Sequence, residues 1–569
     1  MTARRFFSGF VATALAALTF VPWAVHANDR SFETRGTLTS AANGQIVGNV
    51  WSGLSRSDAL LLIDALPARY ASPVYYDLAR RLLLSDAPSL PADPVKQLAK
   101  GEKDNATPAD PTRPDVLIAR LDKLLQMGAL RDAENLYDTV APDTPQNFDL
   151  VLRSQEILML RGQLSAACLD LQAMQAQHGG NPEWKELNRL CRIQFASGGE
   201  RARLVGESKF IRFPQLNNYV HGRGPGNLAR LSAQDMAFAV ATGLINPSMI
   251  RSLSPKAGQM PPLLLSVLYQ MDPDQPAPEK ACLLIEAVRR GMASTRDLIT
   301  LYEKPHYDSS LLLGSPGAVP PLGNVHPCMA PSVLYQRIAS ADSGPAARDA
   351  TIRVALDLMD DLPDAALWPM AFYFKDFRVH DPANRKYLWR VARILAYEKG
   401  EFPADWTQGW TARTDKGAQV SGVAPFWPIA AIIAPGAQPP EDLNIWRGEW
   451  PNEARRIAGR DPILPLLLGQ AVEAGKTGKN PKTNLRDYDN KLSLTFSRSY
   501  AMPSYGLTER LADVIEKGQT GQSVALLLIG YGAIPPDQVI PHQMALVIDG
   551  MNKAGLGRSA QRFALEVLR

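Results

Sequence analysis

The chain has 569 residues, 46% of them hydrophobic and 21% charged, with a mean hydropathy of −0.15. This composition excludes a wholly disordered chain and a polytopic membrane protein, and 45 prolines exclude one long uninterrupted coiled coil. The net charge of +4, which falls to +2 without Arg4 and Arg5, is too near neutral to point to nucleic acid.

Residues 1–27 carry those two arginines, an apolar run over 6–21 and a Val25-His26-Ala27 ending. A basic start, an apolar stretch shorter than a membrane span and small residues before the cut predict a secretory signal peptide cleaved after Ala27, and hence a periplasmic protein. The alternative is an uncleaved anchor, and Arg4-Arg5-Phe6-Phe7 faintly resembles a twin-arginine signal. Segment 28–85 reads as an N-terminal helical piece. Segment 86–114, with six prolines, reads as a flexible linker.

Segment 115–204 is the most informative. Gly128, Leu130, Ala133 and Tyr137 are echoed by Gly162, Leu164, Ala167 and Leu171, with the glycines 34 residues apart. An apolar-periodic helix precedes each glycine and a second follows it. The glycine ends the first helix in a left-handed cap, and the alanine allows close packing of the second. This period and spacing resemble the tetratricopeptide (TPR) repeat, with Pro145 where a repeat usually ends. A weaker third unit runs from Pro182 through Phe195 and Gly198 or Gly199 to Leu204. The fold class expected is therefore all-α, an α-solenoid of TPR-like helix-turn-helix units with proline-rich connecting loops.

A central helical block follows over 205–402, with three-to-four-residue apolar spacing at 231–243, 279–290, 296–302, 346–359 and 387–398. Residues 222–226, Gly-Arg-Gly-Pro-Gly, have the glycine density of a phosphate loop but no preceding strand and no Lys-Ser/Thr ending, so they read as a turn before a helix near Ser232. Segment 403–451 is a Trp/Pro-rich loop segment. In the C-terminal block, 452–569, a helix over 544–554, then Gly555, then Ala560, Phe563 and Ala564 repeat the helix-glycine-helix pattern. Leu492, Leu494 and Phe496 offer a short strand or loop. Three stretches also resemble an uncharacterised family of exported helical proteins from alpha-proteobacteria. They are Ser72-Pro73 with the run 77–85, the Arg161-Gly162 unit with Cys168 and Cys191, and Arg290-Gly291 leading to Asp297-Leu298 and Leu301-Tyr302. That resemblance implies a secreted helical array and carries no activity.

The four cysteines, in an oxidising compartment, pair most simply as Cys168–Cys191 and Cys282–Cys328, although three connectivities are possible. The repeat reading puts the first pair on adjacent helices of consecutive units. His326 and Cys328 with Cys282 lack a fourth ligand and any CxxC spacing, so neither a metal nor another cofactor is expected. No HExxH or GxSxG motif occurs. Carboxylates for a glycosidase are available in Asp360, Asp361 and Asp364 before Trp368, and in Glu441, Asp442 and Glu449, but the first group also reads as a helix end and a new N-cap. Lys476, Lys479, Lys482 and Arg486 form a basic loop.

Two functions follow. The leading one is a non-enzymatic periplasmic adaptor or scaffold that binds an envelope protein or peptide. Its concave face would be lined by first helices, with Arg120, Lys123, Arg153 and Glu156 as contacts. The alternative is a peptidoglycan-binding protein, or a lytic or glycosidase-type enzyme, using Trp406, Trp410, Trp427, Trp446 and Trp450 with nearby acids. Aromatics in long loops more often pin those loops to the core, which is the ordinary reading of these tryptophans. The membrane is met only in transit through the signal peptide.

Overall fold

A computed structural model describes residues 32–46, 50–87, 114–140, 147–271, 278–313, 317–340, 344–360, 362–407, 424–433 and 503–568, with positions 90, 315, 446, 448 and 450–452. The predicted signal segment, most of 86–114, the candidate strand at Leu492 and the basic stretch at Lys476 lie outside the described residues. Among the described residues the protein is all-helical, with only an isolated bridge between Leu38 and Ser85.

Helix α1 (Arg56–Ala65) starts at Ser55, whose side chain accepts from the Asp58 N–H at 3.2 Å. Helix α2 (Pro73–Leu84) has proline in its first turn, where no donor is lost, and Ser72 as N-cap. The repeat block follows as α3 (Asp115–Gln126), α4 (Leu130–Val140), α5 (Phe148–Leu160), α6 (Leu164–Ala173), α7 (Pro182–Phe195) and α8 (Gly198–Glu207). Each helix in this run packs on the next in chain order, and α3 also packs on α5. At Gly128 the chain turns with φ +75° while the Gly128 and Ala129 N–H groups donate to Leu125 and Leu124 carbonyls at 2.9 and 2.8 Å. This pair of bonds satisfies carbonyls that the helix end leaves open. The same paired bonds recur at Gly162, Gly222, Gly243, Gly291, Gly518 and Gly555, so Gly222 belongs to a turn, as its sequence context predicts.

The central block comprises α9 (Ala233–Ala241), α10 (Pro262–Gln270), α11 (Glu279–Arg289), α12 (Thr295–Glu303), α13 (Ala330–Ala339), α14 (Pro345–Leu358) and α15 (Leu388–Lys399). Helix α10 has no legible apolar period because residues 262–268 are all buried. The last described helices are α16 (Trp427–Ile433), α17 (Tyr505–Glu516), α18 (Thr520–Tyr531), α19 (Pro541–Lys553) and α20 (Gly557–Val567).

The two ends of the described chain meet. Helix α2 packs on α18 and α20, and α20 also packs on α15 and α16. The Ala71 N–H donates to the Gly532 carbonyl at 2.9 Å, and a side chain at Gly521 would run into the Val50 carbonyl. One continuous hydrophobic core therefore runs from Leu38 to Leu568. This corrects the expectation of an array with an open concave face lined by first helices. Helix α1 packs on α3 and α9 on α5, so the first helices of the two clearest repeats are covered by neighbours from outside the block.

Candidate binding surfaces

That covering decides the fate of the four predicted repeat contacts. Arg120 is fully buried, and its guanidinium donates to the carbonyls of Leu83, Glu33 and Arg35 at 2.7 to 2.8 Å. Burial lowers its pKa to about 10, opposed by Asp86 and Glu33. Lys123 is likewise buried and donates to the Asp64 and Leu66 carbonyls at 2.9 and 2.8 Å, where α1 ends with open acceptors. Neither is a surface contact; both fasten the N-terminal helices to α3. Arg153, partly buried, bonds Glu156 at 2.9 Å and Asp122 at 3.2 Å, and Gln234 of α9 donates to Glu156 at 3.1 Å. Burial raises the Glu156 pKa to about 7 against the pull of Arg153. This cluster ties α3, α5 and α9 together.

The tryptophans meet a similar fate. Trp406, Trp427 and Trp446 are buried. Trp406 stacks on Phe402 with centroids 5.4 Å apart, Trp446 donates to the Pro425 carbonyl at 3.2 Å, and Trp427 lies edge-on to Trp446. Trp450 is partly buried under the Arg385 guanidinium, 4.4 Å from its ring centre. Trp410 lies outside the described residues. The four described rings anchor loops and do not form the open stacking surface expected of a glycan platform.

An exposed apolar feature does stand on the repeat block. The buried carboxylate of Glu186 on α7 accepts from three successive N–H groups, those of Ile211, Arg212 and Phe213, at 2.7 to 3.1 Å. Asn217 closes the same loop, accepting from the Phe210 N–H at 3.0 Å and donating to the Phe210 and Pro214 carbonyls. Phe213 turns inward against Phe238, at 5.1 Å. Ile211, between them, is left 72% exposed. The platform beneath is stiff, because Cys168 on α6 and Cys191 on α7 are joined as expected and Trp184 donates to the Leu171 carbonyl at 3.1 Å. Leu169 and Phe195, on the same two helices, are also exposed. Composition alone could not mark this loop; the acid that fixes it lies 25 residues before Ile211.

A groove of about 390 Å³ lies in the central block, walled by Tyr335, Trp368, Phe372 and Tyr373 with Glu398 and Lys399 at its edge. Phe372 is half exposed, with the Lys375 and Lys399 ammonium groups 4.6 and 5.6 Å from its ring centre. Glu398 accepts from Thr295 at 3.0 Å, and burial raises its pKa. Trp368 also lines a second cavity of about 200 Å³, where α15 and α20 meet the turn before α2, and stacks on Tyr397 at 4.9 Å. Of the predicted acids, Asp364 lines this second cavity but is held between Arg390, at 3.1 Å, and Arg393. Each of its carboxylate oxygens is thus engaged by a guanidinium. The N-cap of the turn Asp364–Ala366 is Pro363, with Asp364 inside the turn, and Asp360 is exposed in an ion pair with Arg390 at 3.2 Å. Asp361, Glu441, Asp442 and Glu449 lie outside the described residues.

The second disulfide, Cys282–Cys328, is also formed and is only half buried. His326 stands beside it, its Nδ1 accepting from the Cys328 N–H at 3.3 Å. Among the described residues no helix is long and apolar enough to cross a membrane. No protein-family model matches the chain, and comparison with curated proteins and with solved structures returns no match.

Proposed function

We propose that this chain is an exported, periplasmic adaptor or scaffold of the cell envelope, without catalysis of its own, that binds a protein partner through its TPR-like block. We read α3 to α8 as TPR-like hairpins whose usual concave face is filled by the protein's own helices, which moves the recognition surface to the loop after α8. The observation that carries the reading is Ile211, 72% exposed on a loop whose N–H groups are saturated by the buried Glu186. An apolar anchor on a pre-ordered loop loses little entropy on association, which is how a few residues come to dominate an interface. The proposed resemblance to exported helical proteins and the two disulfides support an oxidising compartment. The test is a photo-crosslinking residue placed at Ile211 and irradiated in cells. A single protein adduct, absent when the probe is moved to exposed Leu358, supports the adaptor; no adduct from Ile211 overturns it.

A second reading rests on the aromatic groove at Trp368. Rings that wall a groove beside a carboxylate and an ammonium suit the faces and hydroxyls of a sugar. Incubation with purified peptidoglycan sacculi separates its forms: co-sedimentation supports a binder, release of soluble fragments supports a lytic enzyme, and the absence of both overturns this second reading.

A further inference from the structure

The two disulfides differ in setting. Cys168 and Cys191 are 4% and 3% exposed, inside the α6–α7 contact. Cys282 and Cys328 are half buried, and Cys328 sits in the turn Pro327–Met329 that leads directly into α13. A sulfur at the start of a helix leaves more readily as an anion, because the helix end carries partial positive charge. The ligand atoms of Cys282, Cys328 and His326 all lie within 4.8 Å of one another. Opening the S–S bond would let the sulfurs part to the roughly 3.8 Å that tetrahedral zinc, with Zn–S of about 2.3 Å, sets between two thiolates. His326 is already oriented toward Cys328 by its bond to the Cys328 N–H.

We propose that Cys282, Cys328 and His326 form a redox-gated zinc site. A dithiol reductant attacks the Cys282 sulfur, and the S–S bond breaks with Cys328 leaving as thiolate. The second thiol of the reductant then displaces Cys282 from the mixed disulfide. Two electrons pass to the protein, and the reductant departs as its own disulfide. Zinc binds the two thiolates and the imidazole, displacing any proton they hold, and keeps its fourth position for water or an incoming ligand. Thiol–disulfide exchange with a disulfide oxidant, which takes the two electrons and departs as its dithiol, closes the bond and releases the zinc ion.

The experiment uses the full chain under native conditions. Graded dithiothreitol followed by iodoacetamide and peptide mass spectrometry reads which pair opens first. The expected result is alkylation of Cys282 and Cys328 at reductant concentrations about tenfold or more below those that open Cys168–Cys191. The reduced protein, given zinc and desalted, is expected to retain one ion per chain and to protect Cys282 and Cys328 from alkylation. His326→Gln is expected to weaken zinc binding about tenfold or more with unchanged helicity. Simultaneous opening of both pairs, opening of Cys168–Cys191 first, absence of zinc retention, or equal retention by H326Q would each overturn the proposal. If H326Q does not fold, the protection measured on the unaltered protein decides alone.

Discussion

Tyr75 on α2 and Phe563 on α20 pack with ring centroids 5.6 Å apart, and both rings are completely buried. Their contact joins α2, near the start of the described chain, to its last helix. Phe563→Ala is therefore expected to cost about 3–5 kcal/mol, as a cavity in a shared core. Urea denaturation should show the loss, and hydrogen exchange should show α2 and α20 losing protection together. Loss confined to α20 would mean that the closure is not cooperative.

Gly128 and Gly162 have matching left-handed turns, φ +75° and +73°, but different surroundings. A Cβ at Gly128 would sit 2.6 Å from both the Pro262 carbonyl oxygen and the Met292 methyl, whereas one at Gly162 would meet nothing. Gly162→Ala should cost about 1–2 kcal/mol from backbone strain alone. Gly128→Ala should cost clearly more, since overpacking adds roughly 1–3 kcal/mol. Paired thermal melts test the order.

Burial raises the Glu156 pKa from the ordinary 4.5 to about 7, with Arg153 and Asp122 opposing one another beside it and Gln234 donating from α9. Between those two values the folded protein holds a proton that the unfolded chain has released. Stability should accordingly fall as pH rises through that window, by a few kcal/mol on the order of 1.4 per unit of displacement. Glu156→Gln should flatten the slope and match the unaltered protein near pH 4.5. An unchanged slope in denaturation curves collected across the window would count against this assignment.

Cys168 and Cys191 close a loop with a sequence separation of 23 residues. Replacing both by alanine should lower stability by about 3 kcal/mol, mainly by freeing the unfolded chain. Calorimetry of the double variant measures this directly, and a loss near zero would show that the α6–α7 packing needs no staple.

Ile211→Asp changes an exposed side chain and should alter stability by less than about 0.5 kcal/mol while abolishing co-purification of the protein that the Ile211 crosslink identifies. Glu186→Gln should do the reverse in part. It strips charge-assisted bonds from three N–H groups, costs about 1–3 kcal/mol and weakens partner capture through a looser loop. Equal capture by both variants would exclude the loop as the interface.

Much of the local fold was legible. The Gly128 and Gly162 turns and the helices at 279–290 and 346–359, to within a residue or two, follow from short-range rules of capping and period, and the two cysteine pairs that form are the simplest of the three connectivities the sequence allows. Arg120 and Lys123 were misplaced because helix period identifies a polar position without saying which helix will cover it. The tryptophans were ambiguous because a ring that anchors a loop and a ring that receives a ligand have the same composition.

The amino-acid sequence by itself determined that this protein is helical and where many of its helices turn. These are local matters of backbone conformation and of neighbours within a few turns. Only the tertiary structure decided that the two ends of the described chain share one core, that α1 and α9 cover the repeat block's first helices, and that Glu186 holds Ile211 outward. Those outcomes depend on contacts between residues distant in the chain, where burial gains summed over many helices select a single arrangement from several that the same local patterns permit.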